Sequence, residues 1–175
     1  LSGPSGSGKS SLLKYLLANF DNATVSISVT TREPRKNEVH GVDYEFVSKD
    51  EFQKLIDNNE LLEYEEVHGN FYGTKKETVD IALSFGEIVI FDIDTRGKKN
   101  LEKYYKDIMI SIFITTPTKE TLEERLRLRD SETEEKIQER LSNAKHEMEN
   151  LPFYDFVIIN DSLQKVQKQI VQIAN

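Results

Sequence analysis

Hydrophobic residues recur along this chain at two spacings, and each spacing predicts one type of element. Apolar residues three or four positions apart predict amphipathic helices. Two of these helices follow a capping-box pattern, a serine followed three residues later by a glutamate, at Ser48–Glu51 and at Ser131–Glu134. The predicted helices cover residues 9–20, 49–58, 75–84, 118–129, 132–151 and 163–173.

The predicted strands are of two kinds. Alternating apolar and polar residues predict half-buried strands at 25–29, 44–47 and 61–67. Continuous apolar runs predict buried strands at 87–92, 108–114 and 156–159. Because the buried strands alternate with helices, the chain is predicted to be an α/β protein of three layers around a parallel sheet. The short alternating strands predict a smaller mixed sheet inserted at about 28–80.

Composition narrows the classes of function. The 175 residues include no cysteine, which excludes disulfides and thiolate metal sites. A net charge of −8 argues against a broad nucleic-acid-binding surface. No apolar run approaches the roughly 20 residues that span a bilayer, and no signal peptide is visible. Because phosphate loops normally follow a buried strand, we expect the strand that precedes Leu1 to be truncated in this sequence.

The strongest motif is a phosphate-binding loop at Gly3–Ser10, which matches the pattern G-x-x-x-x-G-K-[ST] in full. Its glycines let backbone N–H groups surround phosphate oxygens, and the following helix presents its positive end to the same anion. Lys9 is expected to reach the β- and γ-phosphates, and Ser10 to ligate Mg²⁺. The predicted ATP-binding residues of this segment are Gly3, Ser5, Gly6, Ser7, Gly8, Lys9, Ser10 and Ser11.

A second set of residues suits a second phosphate. Arg32 and Arg35 lie three apart around Pro34, and arginine binds phosphate through a planar fork. Tyr44 and Tyr72 add two hydroxyl groups. Composition alone leaves the alternative of surface arginines and core tyrosines open.

Four segments behind the phosphate loop, taken in order, resemble guanylate kinase: Ser28–Arg35, Gly41–Val47, Gly69–Thr74 and Phe91–Asp94. The resemblance covers essentially the whole chain. It implies a P-loop nucleoside-monophosphate-kinase fold that transfers the γ-phosphoryl group of ATP to GMP with Mg²⁺. It also implies a cytoplasmic monomer or weak dimer without nucleic-acid or membrane partners. The implied parts are a core (1–27, 81–117 and 149–175), a GMP-binding insert (28–80) and a lid (118–148).

The resemblance also assigns residues to roles. It implies that the GMP phosphate is bound by Arg32, Arg35, Tyr44 and Tyr72. The positions around the nucleoside are Ser28, Glu63, Thr74 and Asp92. Lys9 and the lid residues Arg125, Arg129 and Arg140 are the implied catalytic cations, and Asn160 lies near the adenine of ATP. Without the resemblance, ordinary ion pairs in a carboxylate-rich helical region would be the favoured interpretation of the lid arginines.

Glu63 has an independent chemical argument for guanine. One carboxylate accepts both the N1–H and the exocyclic amine of guanine, whereas adenine presents an acceptor at N1. An unsatisfied buried polar group costs about 1–3 kcal/mol, so such a site would disfavour adenine. The alternative is a solvated acidic strand, because Glu65 and Glu66 follow closely.

Some residues depart from the family pattern or stay outside it. Asp130 stands where glycine is common, and Arg96 where glutamine is common. Asp94 would share a strand face with Asp92 if the strand continued. Of the two, we rank Asp92 higher as a candidate site carboxylate. The histidines at 40, 68 and 146 are scattered and are interpreted as ordinary surface or loop residues.

Two other functions share this pattern. Guanylate-kinase-like modules of membrane-associated scaffold proteins bind peptides, but typically with a degraded phosphate loop, whereas this loop is complete. A kinase of the same fold for AMP or a sugar phosphate is the third possibility, and only Glu63, Thr74 and Asp92 argue for guanine.

Overall fold

The structure, a computed structural model, describes residues 1–67, 69–128 and 133–174. Its helices are α1 (Lys9–Asn19), α2 (Lys49–Asp57), α3 (Lys76–Ser84), α4 (Thr95–Tyr105), α5 (Lys119–Arg127), α6 (Glu134–Met148) and α7 (Leu163–Ala174). Its strands are β1 (Ala23–Val25), β2 (Val29–Thr30), β3 (Glu45–Phe46), β4 (Leu61–Val67), β5 (Asn70–Lys75), β6 (Ile88–Ile90), β7 (Ile112–Thr115) and β8 (Phe156–Ile159). Within the described ranges, no helix is both long and apolar enough to cross a membrane.

The chain divides into two compact units. The first comprises residues 1–21, 92–98 and the described part of 107–175. The second comprises residues 22–91 and 99–106. The division into core, insert and lid that the resemblance implies remains a prediction.

The first unit contains a buried parallel strand pair that leads to the phosphate loop. All of β7 is buried, and β7 pairs in parallel with β8. On the other side of β7, Ser2 pairs in parallel with Phe113, and the Ser2 N–H donates to the Ile112 carbonyl at 2.9 Å. The loop that begins at Gly3 therefore lies at the carboxyl end of parallel strands, where open α/β sheets bind ligands.

The burial predicted for the last strand is wrong. In β8 only Ile158 is buried, while Phe156, Val157 and Ile159 are between 43% and 56% exposed. Among the described residues β8 pairs on one side only, with β7, so it is an edge strand. The segment before β7 was also predicted to be buried, but Ile108 and Ile110 are exposed and precede the strand.

Helices α5 and α6 pack against each other through a separate apolar cluster. It consists of Leu122, Leu126, Ile137, Leu141 and Ala144. The helix predicted at 118–129 is confirmed over its described residues. The next helix begins at Glu134 with Thr133 as its N-cap, later than the predicted capping box, whose Ser131 lies outside the described residues.

The second unit contains the predicted mixed sheet, in the order β3-β2-β5-β4. Strand β2 runs parallel to β3 and antiparallel to β5, which is also antiparallel to β4. Its core is formed by Val29, Phe52 and Leu61, and the Phe52 ring stacks on Phe71 at 5.4 Å. Helix α2 has the predicted capping box between Ser48 and Glu51.

The single strand predicted at 25–29 is instead two strands in different sheets. Strand β1 pairs in parallel with β6, and β2 belongs to the mixed sheet, because the chain leaves one sheet for the other between Val25 and Val29. The prediction of a parallel strand at 87–92 is confirmed at β6. Its predicted burial is wrong, since only Ile90 of β6 is buried.

Candidate active site

Two glycines of the phosphate loop have a conformation and an environment that exclude side chains. Gly3 and Gly8 have φ angles of 136° and 102°. A Cβ atom would lie 2.0 Å from the Ile114 carbonyl oxygen at Gly3, and 2.2 Å from the Asn160 Nδ2 at Gly8. The loop therefore wraps tightly against the strand ends, and its last glycine, Gly8, is the N-cap of α1.

Lys9 is held inside the loop. Its Nζ donates to the Gly3 carbonyl, lies 3.4 Å from the Pro4 carbonyl and lies 4.0 Å from the nearer Asp92 carboxylate oxygen. It borders a cavity of about 420 Å³. That cavity is lined by Gly3, Pro4, Ser5, Gly6, Gly8, Lys9, Ser10, Asp92, Ile93, Asp94 and Glu147. The predicted phosphate-binding residues and a cation thus surround one space.

Glu147 is a residue of this cavity that the sequence interpretation missed. It lies on α6 and faces the cavity with Lys9 and Asp94. Burial raises the pKa of its carboxyl, which Lys9 opposes and Asp94 reinforces. Its sequence signal is the spacing from Arg140, because residues seven apart lie on one helix face.

Asp94 belongs to a helix rather than to a strand. Strand β6 ends at Ile90, and the Asp94 carboxylate accepts a hydrogen bond from the Gly97 N–H at 2.8 Å, which caps the start of α4. Arg96 pairs with Asp94 at 3.4 Å, but its side chain is 83% exposed, so this ion pair contributes little.

Asn160 contacts the backbone of the phosphate loop. It is buried, and its Nδ2 donates to the Ser7 carbonyl at 2.7 Å. Its own N–H donates to the Thr115 carbonyl at 2.7 Å. It also lines a second cavity of about 320 Å³, together with Gly6, Gly8, Ser11, Arg125, Leu128 and Leu163. The predicted contact of Asn160 with ATP stays a prediction, and the structure adds a loop contact that the sequence did not suggest.

The lid arginines differ in what they contact. Arg140 donates to the Ser5 hydroxyl at 2.7 Å, and Arg125 donates to the Asn160 carbonyl at 2.9 Å, so both lie beside the phosphate loop. Arg127 pairs instead with Glu123 and Glu134, which is the ordinary ion pairing expected of this region. Arg129 and Asp130 lie outside the described residues.

Ser10 is the predicted metal ligand. Its exposed hydroxyl lines the same cavity as Lys9. Among the described residues, no group of three His, Asp or Glu side chains is arranged to hold a metal ion. A hydroxyl combined with phosphate oxygens is nonetheless a donor set that suits Mg²⁺.

In the second unit, the predicted phosphate ligands form a compact group. The Arg32 guanidinium lies 5.4 Å from the centre of the Tyr44 ring, and the Tyr44 and Tyr72 rings meet edge to face at 6.1 Å. Arg35 follows on the same loop with an exposed side chain. Hydrogen bonding to Glu38 raises the pKa of Arg32, with a smaller contribution from Tyr72.

The predicted base ligands Glu63 and Thr74 contact each other. Their positions are paired across β4 and β5, and the buried Thr74 hydroxyl donates to the Glu63 carboxylate at 2.7 Å. Glu65 and Glu66 are exposed, whereas Glu63 is half-buried. Glu63 is therefore oriented by a neighbour and is distinct from the solvated acids beside it. Ser28, the remaining predicted nucleoside ligand of this unit, directly precedes β2. Its carbonyl accepts from the Glu45 N–H of β3 at 2.9 Å.

Neither of the two described histidines is among the predicted ligands of the two groups. The His40 Nδ1 accepts from the Phe46 N–H at 3.1 Å, and His146 is exposed on α6. His68 lies outside the described residues.

Comparison with known proteins decides the family. The family model described as "Guanylate kinase" matches residues 1–175. The chain belongs to the guanylate kinase family. It is 49% identical over 174 residues to a guanylate kinase of Wolinella succinogenes, covering 99% of this chain and 81% of that protein. It is 47% identical over 174 residues to a guanylate kinase of Helicobacter pylori, covering 99% of this chain and 84% of that protein.

A solved member of the guanylate kinase family supports the same fold. The crystal structure of guanylate kinase from Anaplasma phagocytophilum aligns with a TM-score of 0.70 at 33% sequence identity. The match covers 98% of this chain and 80% of that one. The fold is therefore that of the P-loop nucleoside monophosphate kinases.

Proposed function

We propose that this chain transfers the γ-phosphoryl group of ATP to GMP, giving ADP and GDP, with ATP on the phosphate loop and GMP on the Arg32–Tyr44–Tyr72 group. The observation that carries this proposal is the orientation of Glu63 by Thr74, at 2.7 Å, in a family member whose phosphate loop is complete. Residues that bind phosphate would by themselves suit many kinases. An oriented carboxylate next to a phosphate-binding group suits guanine.

In the ATP site, backbone N–H groups of the loop bind the phosphate oxygens, and Lys9 contacts the β- and γ-phosphates. The Lys9 Nζ donates to the Gly3 carbonyl and lines the loop cavity, which supports this role. Ser10 would hold Mg²⁺, which would offset the negative charge of the phosphates when bound. Asp92, 4.0 Å from Lys9, faces the same cavity and would hold water near the cation or contact the substrate.

In the GMP site, Arg32 and Arg35 bind the phosphate and the two tyrosine hydroxyls donate to it. Glu63 accepts hydrogen bonds from guanine N1–H and from the exocyclic amine. Thr74 occupies one carboxylate oxygen and thereby fixes the plane of the group. With adenine, the carboxylate would face an acceptor, at a cost of about 1–3 kcal/mol.

In the transfer step, an oxygen of the GMP phosphate forms a bond to the γ-phosphorus, and the bond from that phosphorus to the β–γ bridging oxygen breaks. The bonding electrons leave with ADP. Phosphoryl transfer depends mainly on positioning and on charge stabilisation. We infer that Arg140, which contacts Ser5, and Arg125, which contacts Asn160, stabilise that charge together with Arg129.

From the family we also infer the setting. The enzyme would act in the cytoplasm, on small molecules, as a monomer or a weak dimer.

A coupled ADP-release assay with ATP and Mg²⁺ tests the proposal by comparing GMP, AMP, CMP and UMP as acceptors. We expect turnover with GMP well ahead of AMP. Equal turnover with AMP would contradict the role of Glu63 while leaving the phosphate sites in place. ATP binding without any turnover would favour a binding module instead of an enzyme.

A further inference from the structure

Glu38 lies at the centre of the loop that carries the two arginines, Thr31–Asp43, here called the arginine loop. One carboxylate oxygen accepts from the Arg32 Nη2 at 2.9 Å. The other accepts from the Arg35 backbone N–H at 2.7 Å. The Glu38 N–H in turn donates to the Arg35 carbonyl at 3.0 Å. One side chain therefore joins both phosphate-binding arginines.

The same ion pair fixes the plane of the Arg32 guanidinium. Arg32 and Glu38 are only 16% and 17% exposed in their side chains, so the pair is screened less than a surface pair. The guanidinium lies 5.4 Å from the Tyr44 ring centre and 5.8 Å from that of Phe46, and its Nη1 donates to the Glu33 carbonyl at 2.8 Å. These contacts together restrain the orientation of the guanidinium.

An anion paired with a phosphate-binding arginine has two opposite consequences for the substrate. It either competes with the phosphate or holds the arginine ready for it. Competition would require the Glu38 carboxylate to leave when the phosphate arrives, which would break its bonds to both Arg32 and Arg35. A guanidinium has five N–H donors, so Arg32 has donors for a ligand beyond those that Glu38, Glu33 and Tyr72 engage.

We propose that Glu38 is a positioning residue for the GMP phosphate, holding the Arg32 guanidinium and the Arg35 backbone in the geometry that a phosphate monoester requires. The inference rests on the proposed function, since it assigns Glu38 to the phosphate part of the GMP site. Preorganised donors bind an anion without first losing side-chain freedom, which is why a fixed arginine binds more tightly than a mobile one. Glu38 acts through the arginines and does not contact the substrate.

The test compares Glu38→Gln with Glu33→Gln in the full chain. Both changes remove one negative charge from the arginine loop, but the Glu33 side chain is exposed, and it is the Glu33 carbonyl that contacts Arg32. We expect Glu38→Gln to raise the KM for GMP about tenfold or more, the loss typical of a hydrogen bond to a charged group. The KM for ATP should stay unchanged, and Glu33→Gln should leave the KM for GMP within about twofold of the unaltered enzyme.

Guanosine separates this role from a general structural one. It lacks the phosphate, so its inhibition constant reports the base pocket alone and should be unchanged in Glu38→Gln. Glu38→Asp keeps the charge but shortens the side chain, so its KM for GMP should lie between those of Glu38→Gln and the unaltered enzyme. Thermal unfolding of each variant identifies a misfolded one, and Glu38→Asp then serves as the remaining comparison.

Three results would overturn the inference. The first is an unchanged KM for GMP in Glu38→Gln, and the second is a lowered KM, which would indicate competition. The third is an inhibition constant for guanosine that rises as much as the KM for GMP. Failure of the proposed function has a different signature, because the unaltered enzyme would then bind GMP by calorimetry without phosphorylating it. Calorimetric binding of GMP would still report the effect of Glu38→Gln. Absence of any GMP binding to the unaltered enzyme would overturn both.

Discussion

The phosphate loop is supported by residues far along the chain, whereas the arginine loop and the base-binding pair are supported by close neighbours in sequence. Asn160 and Arg140 contact Ser7 and Ser5 across 153 and 135 positions. Glu38 contacts Arg32 across 6 positions, and Thr74 contacts Glu63 across 11. The Asn160 and Arg140 contacts therefore depend on the packing of the whole unit, whereas the Glu38 and Thr74 contacts depend on local geometry. Perturbing each support should affect one substrate and spare the other.

The largest effect is expected from Lys9→Ala. Removal of a cation that stabilises the transition state should lower kcat/KM at least about 100-fold, in line with other charge-clamp losses of about 2.7–4 kcal/mol. Steady-state kinetics measure this directly. Lys14→Ala, on the exposed side of the same helix, is the control and should keep its turnover. Near-full activity in Lys9→Ala would remove Lys9 from the mechanism.

Glu63→Gln should sharpen the comparison on the GMP side. The amide presents a donor in place of one acceptor oxygen, so the preference for GMP over AMP should fall about 10- to 100-fold, equivalent to about 1–3 kcal/mol. The readout is the ratio of kcat/KM values for the two acceptors. Glu66→Gln changes an exposed carboxylate of the same strand and should preserve the ratio. An unchanged ratio in Glu63→Gln would assign base selection to another group.

Asn160→Ala should sharpen the comparison on the ATP side. The Ser7 carbonyl would lose its buried donor, and the loop would be held less firmly, so the KM for ATP should rise about tenfold with little change for GMP. Varying one substrate at a time separates the two constants. Asn143→Ala, at an exposed position of α6, is a matched control. Equal changes in both constants would show that the two sites do not have separate supports.

The smallest effect is expected from Glu147→Gln, as a pH-dependent change in stability. Burial raises the pKa of Glu147 in the folded protein, so the parent loses stability as the pH rises from the unfolded pKa to that raised pKa. Below the unfolded pKa of the carboxyl the variant and the parent should be similarly stable. Above the raised pKa the variant should be slightly more stable than the parent, because only the parent carries the buried charge. Thermal unfolding from pH 4 to pH 8 tests this, and a variant that is less stable at pH 8 would contradict it.

The sequence predicted local features better than distant ones. The capping box at Ser48 and the starts of α1 and α2 depend on patterns within a few residues, and the structure confirms them. Helix α4 was missed because its segment is largely charged, although Asp94 at its start is a typical N-cap. The burial of β6 and β8 was overestimated because an apolar run does not reveal whether a strand lies at an edge.

The supporting residues were the hardest to predict. Asn160 and Glu147 reach the phosphate loop only through the fold, and no short motif contains both partners. Glu38 lies only three residues after Arg35, but nothing in the sequence distinguishes its carboxylate from an ordinary surface acid. Polar residues near a binding motif are informative only once their partners are known.

The most direct test of the account is a product analysis of the unaltered protein with ATP, Mg²⁺ and GMP. We expect one GDP formed for each ADP, with AMP giving far less product under the same conditions. ADP formed without GDP would indicate ATP hydrolysis instead of transfer. GDP and phosphorylated AMP formed at equal rates would contradict guanine recognition by Glu63 and Thr74.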